Sequence, residues 1–451
     1  MGGSGGERSS SRARAAVPAK PSKLDKLSDE ELRKWSAAYG YSDKGTRAKL
    51  LDQLSGHADG ILDPCREAGV KNLPLEMPPF TLSDIQAAIP RYCFKRSLLK
   101  SIGYLLIDLI QIALLGWAAT FIGKPVGPEG ILGTGLHVPA HLQHLHLPEW
   151  APYVLWPLYI FCQGTVMTGV WVLAHECGHQ AFSESEFWNN TFGTVLHSFL
   201  LVPYHSWRIT HKRHHENTGS CENDEVFAPS TRSDWAKDML RETPIAQFFG
   251  IFIMLTVGWL PGYLVFNATG PAKYRGKNAN HFSPTAAFFR PEEYWLIVQS
   301  DIAFFSTVGL LGYAIHTLGF ATVGKFYLLP LMVVNYHLVL ITYLQHTASY
   351  LPHFRGKEWN FLRGALCTVD RKFGYVYDSY LHHIVDTHVC HHLFSKMPFY
   401  HAQEATEVIK KVVGKYYMYD PSPIASAVYN SFSHCQFIED DGNIAFYKNV
   451  K

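Results

Sequence analysis

What the chain lacks narrows its class before any motif is read. Its 40 Lys and Arg against 38 Asp and Glu leave a net charge of only +2 over 451 residues. That near-balance excludes the broad single-sign surface of a nucleic-acid binder or of a protein built for acidic partners. The eight cysteines are scattered without any Cys-x-x-Cys spacing, which excludes both a disulfide framework and a zinc ribbon and implies reduced thiols. No apolar stretch follows Arg8, Arg12 and Arg14, so a cleaved signal peptide is not expected and membrane insertion falls to internal segments. No internal repeat is present either.

Histidine stands out against that background. Three short clusters, His175-Glu176-Cys177-Gly178-His179, His211-Lys212-Arg213-His214-His215 and His388-Val389-Cys390-His391-His392, hold eight imidazoles. Offsets of i, i+3 and i+4 put such side chains on one face of a helix, a few ångströms apart. Two metal ions ask for about four to six ligands each. His175, His179, His211, His214, His215, His388, His391 and His392 nearly meet that demand. His346, closing Tyr343-Leu344-Gln345-His346, is the best-placed ninth, and His382 is the reserve. Asp386, two residues ahead of His388, is expected to accept an N–H from a ligand ring and fix its tautomer. Neutral imidazole suits iron, zinc, copper and nickel alike. Isolated histidines in apolar runs, such as His197, His316 and His337, read as ordinary core or loop residues.

The mean hydropathy is near zero because polar ends dilute long apolar runs at 102–122, 153–174, 248–266, 302–323 and 326–345. The first is preceded by Arg91, Lys95, Arg96 and Lys100, marking the cytosolic side, and contains Asp108 and Gln111. Those polar groups are expected to face protein or a cavity rather than lipid. The run 191–204 is shorter and lies between two clusters, so it reads as re-entrant or interfacial. If all clusters share one side, an even number of the last three runs can span. The run at 248–266, interrupted by Gly258 and Pro261, is then the one expected to lie in the interface. The expected architecture is an all-α integral membrane protein with four transmembrane helices in two hairpins plus interfacial helices. A cytosolic helical cap carries the His-rich di-metal site. Along the chain this gives a disordered N-terminus (1–22), a helical pair as an appendage (23–58), a linker with an amphipathic pre-membrane segment (59–100), the membrane domain (101–400) and a cytosolic C-terminal tail (401–451). Within the pair, Ser28-Asp29-Glu30-Glu31 reads as a capped helix start. Near the C-terminus Asp441-Gly442 is a turn signal before strand-like Ile444-Ala445-Phe446-Tyr447.

Three chemistries compete for such a site. His175-Glu176-x-x-His179 matches the zinc-protease pattern with Glu as general base, but an intramembrane zinc metalloprotease needs one more ligand and leaves the other clusters without a task. A metal transporter would string ligands through its spans instead of beside them. Oxidation of a bilayer-held apolar chain is the third. Such a chain has no leaving group or acidic proton, and activated O₂ at iron can attack its C–H bonds.

The clusters also resemble a known family, the membrane-bound fatty acid desaturases, whose HxxxH and two HxxHH boxes are matched by HECGH, HKRHH and HVCHH. Residues 175–183, Val202-Pro203-Tyr204, 340–347 and 386–395 are similar to the microsomal Δ12 (oleate) desaturases, and 89–97 to their fungal branch. The resemblance runs over about residues 75–450. It implies a di-iron centre, O₂ as co-substrate, and electrons from cytochrome b5 and its reductase. Cytochrome b5 would be a separate partner, because the chain has no His-Pro-Gly-Gly haem motif. It implies an endoplasmic reticulum membrane, and as substrate a fatty acyl chain of phospholipid or acyl-CoA, with oleoyl converted to linoleoyl. It implies iron ligation by the eight box histidines and His346. Relatives with near-identical boxes place an ω-3 (Δ15) bond, do both Δ12 and ω-3 chemistry, or hydroxylate C12, so the boxes alone leave these alternatives open.

Overall fold

The computed structural model describes residues 26–38, 44–48, 50–51, 72–123, 148–235 and 243–449. The expected disordered N-terminus, residues 59–71 of the linker segment and most of the loop after the first apolar run lie outside them. So does the end of the second helix of the N-terminal pair. Helix α1 (Asp29–Ala38) is the first helix of that pair. Its start is closed by Ser28, whose hydroxyl accepts from the Glu31 N–H at 3.3 Å while the Glu31 carboxylate accepts from the Ser28 N–H at 2.8 Å.

Helix α2 (Leu82–Ala88) opens on a reciprocal cap between Thr81 and Asp84. The first long helix, α3 (Leu98–Ala119), starts where the Ser97 hydroxyl accepts from the Lys100 N–H. Leu106, Ile107, Ile110 and Leu114 point outward from it, while Ser101, Leu105 and Asp108 are buried. As expected from its depth, Asp108 faces protein: its carboxylate lies 2.7 Å from Nε2 of His382. Helix α4 (Ala151–Gly178) is apolar all round and buried continuously from Gln163 to Cys177. A helix without a polar face belongs at the centre of its bundle. There it packs so closely on α9 (Leu329–His346) that a Cβ at Gly164 would stand 2.4 Å from Val333 and 2.6 Å from the Pro330 carbonyl.

Between them lie α5 (Glu186–Phe199), α6 (Tyr204–Asn217), α7 (Pro244–Val257) and α8 (Tyr294–Leu318). Helix α5 exposes Phe187, Trp188, Val195 and Phe199 and buries Leu196 and His197. Its 14 residues reach about 21 Å, short of the ~30 Å apolar core of a bilayer. Gly319, at φ 84°, turns α8 back into the segment leading to α9.

Five described helices, one more than the four spans expected, are long and apolar enough to cross a membrane: Leu98–Ala119, Ala151–Gly178, Ile245–Val265, Pro291–Leu318 and Phe320–His346. The third contains α7 and is broken by a π-turn over Gly258–Val265, where Pro261 has no N–H to donate. Its two ends meet the same layer of the molecule. Near its start, Gln247 accepts from the Ser433 hydroxyl at 3.2 Å, and Ser431 two residues earlier donates to the Thr347 carbonyl beside His346. Near its end, the Tyr263 hydroxyl lies 3.0 Å from that of Thr210, beside His211. Both ends of the segment thus contact residues that adjoin the histidine groups.

Helices α10 (His388–Leu393), α11 (Phe399–Val413) and α12 (Ile424–His434) complete the cap. The expected boundary at 400 falls inside α11, whose buried Ala402, Ala405, Ile409 and Val413 share one core with Val389 and Leu393. The strand-like end becomes β2 (Ile444–Phe446), paired antiparallel with β1 (Pro352–Phe354).

Candidate metal centre

The first cluster and His346 sit at the ends of long apolar helices, and the other two clusters lie on short helices beside them. His175 lies in the last turn of α4 and His179 is its C-terminal cap residue. His211, His214 and His215 occupy one face of α6, and His346 ends α9. The third cluster forms α10, six residues long and without a side-chain cap of its own on Thr387. Asp370 supplies the missing acceptor, taking the Val389 N–H at 2.8 Å, and is itself held by the Tyr417 hydroxyl at 2.6 Å.

All nine histidines converge, in two adjacent groups. In the first, one ring nitrogen from each of His175, His179, His211, His215 and His391 lies within 4.8 Å of the others, and in the second the same holds for His214, His346 and His392. His388 joins the second, its Nε2 2.9 Å from that of His346. The groups touch: the His215 and His392 rings stack at 4.0 Å. Within the first group successive Nε2 atoms of His179, His175, His211 and His215 stand 3.2, 2.9 and 3.2 Å apart.

The donor set fits a resident metal. Ligand nitrogens about 2.1 Å from one ion lie roughly 3.0–3.4 Å from each other at right or tetrahedral angles, the spacing observed. Nε2 of His391 and of His392 are buried with no hydrogen-bond partner, which is costly unless a cation takes the lone pair. Burial, reinforced by neighbouring rings, pushes His179, His211, His215, His388 and His392 well below the ordinary imidazole value, and His391 down to about 3. The rings are thus neutral, the form that ligates.

Orientation comes from residues around the rings. The Nδ1 of His214 lies 2.7 Å from Asp224. Burial works against that carboxylate's charge, but His214 and the backbone N–H groups of Phe227 and Val226 hold Asp224 down to about 2. Nδ1 of His392 meets the Thr218 hydroxyl at 3.1 Å. Trp207 stacks on His211 and Trp171 on His175, at 4.5 and 5.4 Å between ring centres. The Glu176 carboxylate accepts from the Phe399 N–H at 3.0 Å.

Two sequence expectations need correction. Asp386 does not meet a ring of either group; it lies 3.1 Å from Nδ1 of His383. His382, the reserve, is turned toward Asp108 and packs on Tyr104 and Phe399. The left-handed backbone at His382 and His383, φ 49° and 60°, aims the two side chains away from the groups.

The fatty acid desaturase family model matches residues 148–422, which include all nine histidines. The chain belongs to the fatty acid desaturase family. It is 45% identical over 390 residues to the Δ12 fatty acid desaturases of Mortierella isabellina and Mortierella alpina, covering 83% of this chain and 92% of each relative. It is 44% identical over 375 residues to a Brassica juncea protein named omega-6 fatty acid desaturase, endoplasmic reticulum, covering 82% of this chain and 91% of that one. In this desaturase-family chain Asp224, Thr218 and Asp370 are what sequence reading missed. Asp224 sits in Glu222-Asn223-Asp224-Glu225, an acidic loop without periodicity, and only its contact with His214 sets it apart.

Proposed function

We propose that the chain is an acyl-lipid Δ12 desaturase that converts an oleoyl chain to linoleoyl in the endoplasmic reticulum membrane. The observation that carries this reading is the pair of adjoining imidazole groups beside the ends of two apolar helices, in a chain so similar to proteins named Δ12 desaturases. A single-metal protease would use three ligands and leave the second group idle. In the balanced reaction oleoyl, O₂, two electrons and two protons give linoleoyl and two waters. The electrons come from cytochrome b5, fed by its reductase.

His175, His179, His211, His215 and His391 would hold one iron, and His214, His346, His388 and His392 the other. Bound there, the iron pair supplies the oxidant that an unactivated C–H bond requires. The residues do the rest. Asp224 and Thr218 fix the tautomers of His214 and His392. Trp171 and Trp207 wall the rings from water, and Glu176 ties the start of α11 to the end of α4. Four helices would cross the membrane as two hairpins, α3 with α4 and α8 with the segment ending in α9. The kinked α7 would lie along the interface, and Arg91, Lys95, Arg96 and Lys100 would put the histidine layer at the cytosol.

The test is expression in a host lacking polyunsaturated lipids, with double-bond position in the product read by mass spectrometry. Linoleate is the expected product; a Δ15 bond, a 12-hydroxy acid or no new acyl product would overturn the assignment.

A further inference from the structure

We propose a third metal site, outside the histidine layer, formed by Cys93, His401 and Glu404 and suited to zinc. The Cys93 thiol, a His401 ring nitrogen and a Glu404 carboxylate oxygen lie within 4.8 Å of one another. They come from elements more than 300 residues apart in sequence: the 3-10 turn Arg91–Phe94 ahead of α3, and the first turns of α11. His401 and Glu404, three apart, share a face of α11. Cys93 is held beneath that face because its N–H bonds the Pro90 carbonyl at 2.9 Å and the adjoining Phe94 ring packs edge-on to Phe394 at 5.5 Å.

The site has the layering of a built one. Cys93 is fully buried, His401 half-buried and Glu404 exposed, so an ion enters from the carboxylate side and ends on the sulfur. Tyr92 orients the other two groups: its hydroxyl bonds the Glu404 carboxylate and its ring stands edge-on to His401 at 5.7 Å. Thiolate, imidazole and carboxylate together select zinc over magnesium or calcium, and three protein ligands leave one tetrahedral position for water. On binding, the thiol yields its proton to solvent. The cation would clamp the turn that starts α3 onto α11, whose Phe399 N–H is already fastened to Glu176 beside His175.

None of the nine histidine-layer residues is a cysteine, so sulfur ligation separates the sites spectroscopically. Full-length protein, purified with its histidine layer loaded, is titrated with Co²⁺ and then Zn²⁺. One further equivalent of Co²⁺ is expected, with a thiolate-to-cobalt charge-transfer band that Zn²⁺ bleaches and that Cys93→Ser lacks. His401→Ala should weaken the binding by at least about tenfold. A band that persists in Cys93→Ser, or no further equivalent of Co²⁺ taken up by the unmodified chain, would overturn the site.

Discussion

The two histidine groups solve one problem in different ways. In the second, hydrogen bonds set two of the four rings, Asp224 on Nδ1 of His214 and Thr218 on Nδ1 of His392, while Nδ1 of His346 and of His388 has no partner among the described residues. In the first, among the described residues, Nδ1 of His175 and of His215 has no hydrogen-bond partner, and the indoles of Trp171 and Trp207 hold the rings by contact. A carboxylate partner also raises the basicity of the ring it holds, whereas an aromatic wall only orients it. Two ions in these groups would therefore see unequal ligand fields, the second richer in electron density.

The largest expected effect removes a ligand from either side. His214→Ala and His179→Ala should each abolish linoleate formation while the protein stays in the membrane; surviving turnover in one would remove that ring from the ligand set. Iron measured on the purified chain should be about two per molecule with little zinc in the histidine layer, and each variant should lose most from its own group. Next comes the hydrogen bond itself. Asp224→Asn keeps the shape but removes the charge, and should cost about 10- to 100-fold in iron affinity or turnover. Equal iron loss from both groups by Mössbauer spectroscopy would erase the contrast drawn above.

Acid should act on both groups. The rings of His179, His211 and His215 in the first and of His388 and His392 in the second are neutral when folded and take up protons near pH 6.5 when unfolded. Below that value the unfolded chain binds more protons than the folded one, so stability and metal retention fall as pH drops and recover as it rises. Thermal unfolding in metal-free buffer should show this slope between about pH 6.5 and 4; a flat profile would contradict neutral burial. A smaller effect is expected from Gly164→Ala, whose new methyl meets Val333 and the Pro330 carbonyl. Forcing α4 and α9 apart should cost about 1–3 kcal/mol, seen as a lower unfolding midpoint in detergent with iron content retained. Deleting residues 1–58 should have the least effect, leaving turnover unchanged.

The box histidines were legible because their information is periodic. Spacing of i, i+3 and i+4 survives any arrangement of the helices that carry it, and His346 followed from ligand number plus its place at the end of an apolar run. The apolar runs announced themselves by length, and Asp108 by its depth. The orienting groups carried no such pattern. Asp386 looked well placed by nearness in sequence, yet a left-handed turn at His382 and His383 carries it to His383, while Asp224, ten residues from His214, closes on the ring through a loop.

Composition and periodicity by themselves determined that this chain is helical, membrane-borne and rich enough in imidazole for two metals. Only the tertiary structure decided how nine rings divide between two groups, which carboxylate backs which ring, and that both ends of the kinked apolar segment 245–265 contact residues adjoining those groups. The physical reason is one of range. Helical period and hydrophobic length are local properties of consecutive residues, whereas a hydrogen bond between Asp370 and the N-terminus of α10, or a contact between Gly164 and Val333, exists only after distant segments have been packed together.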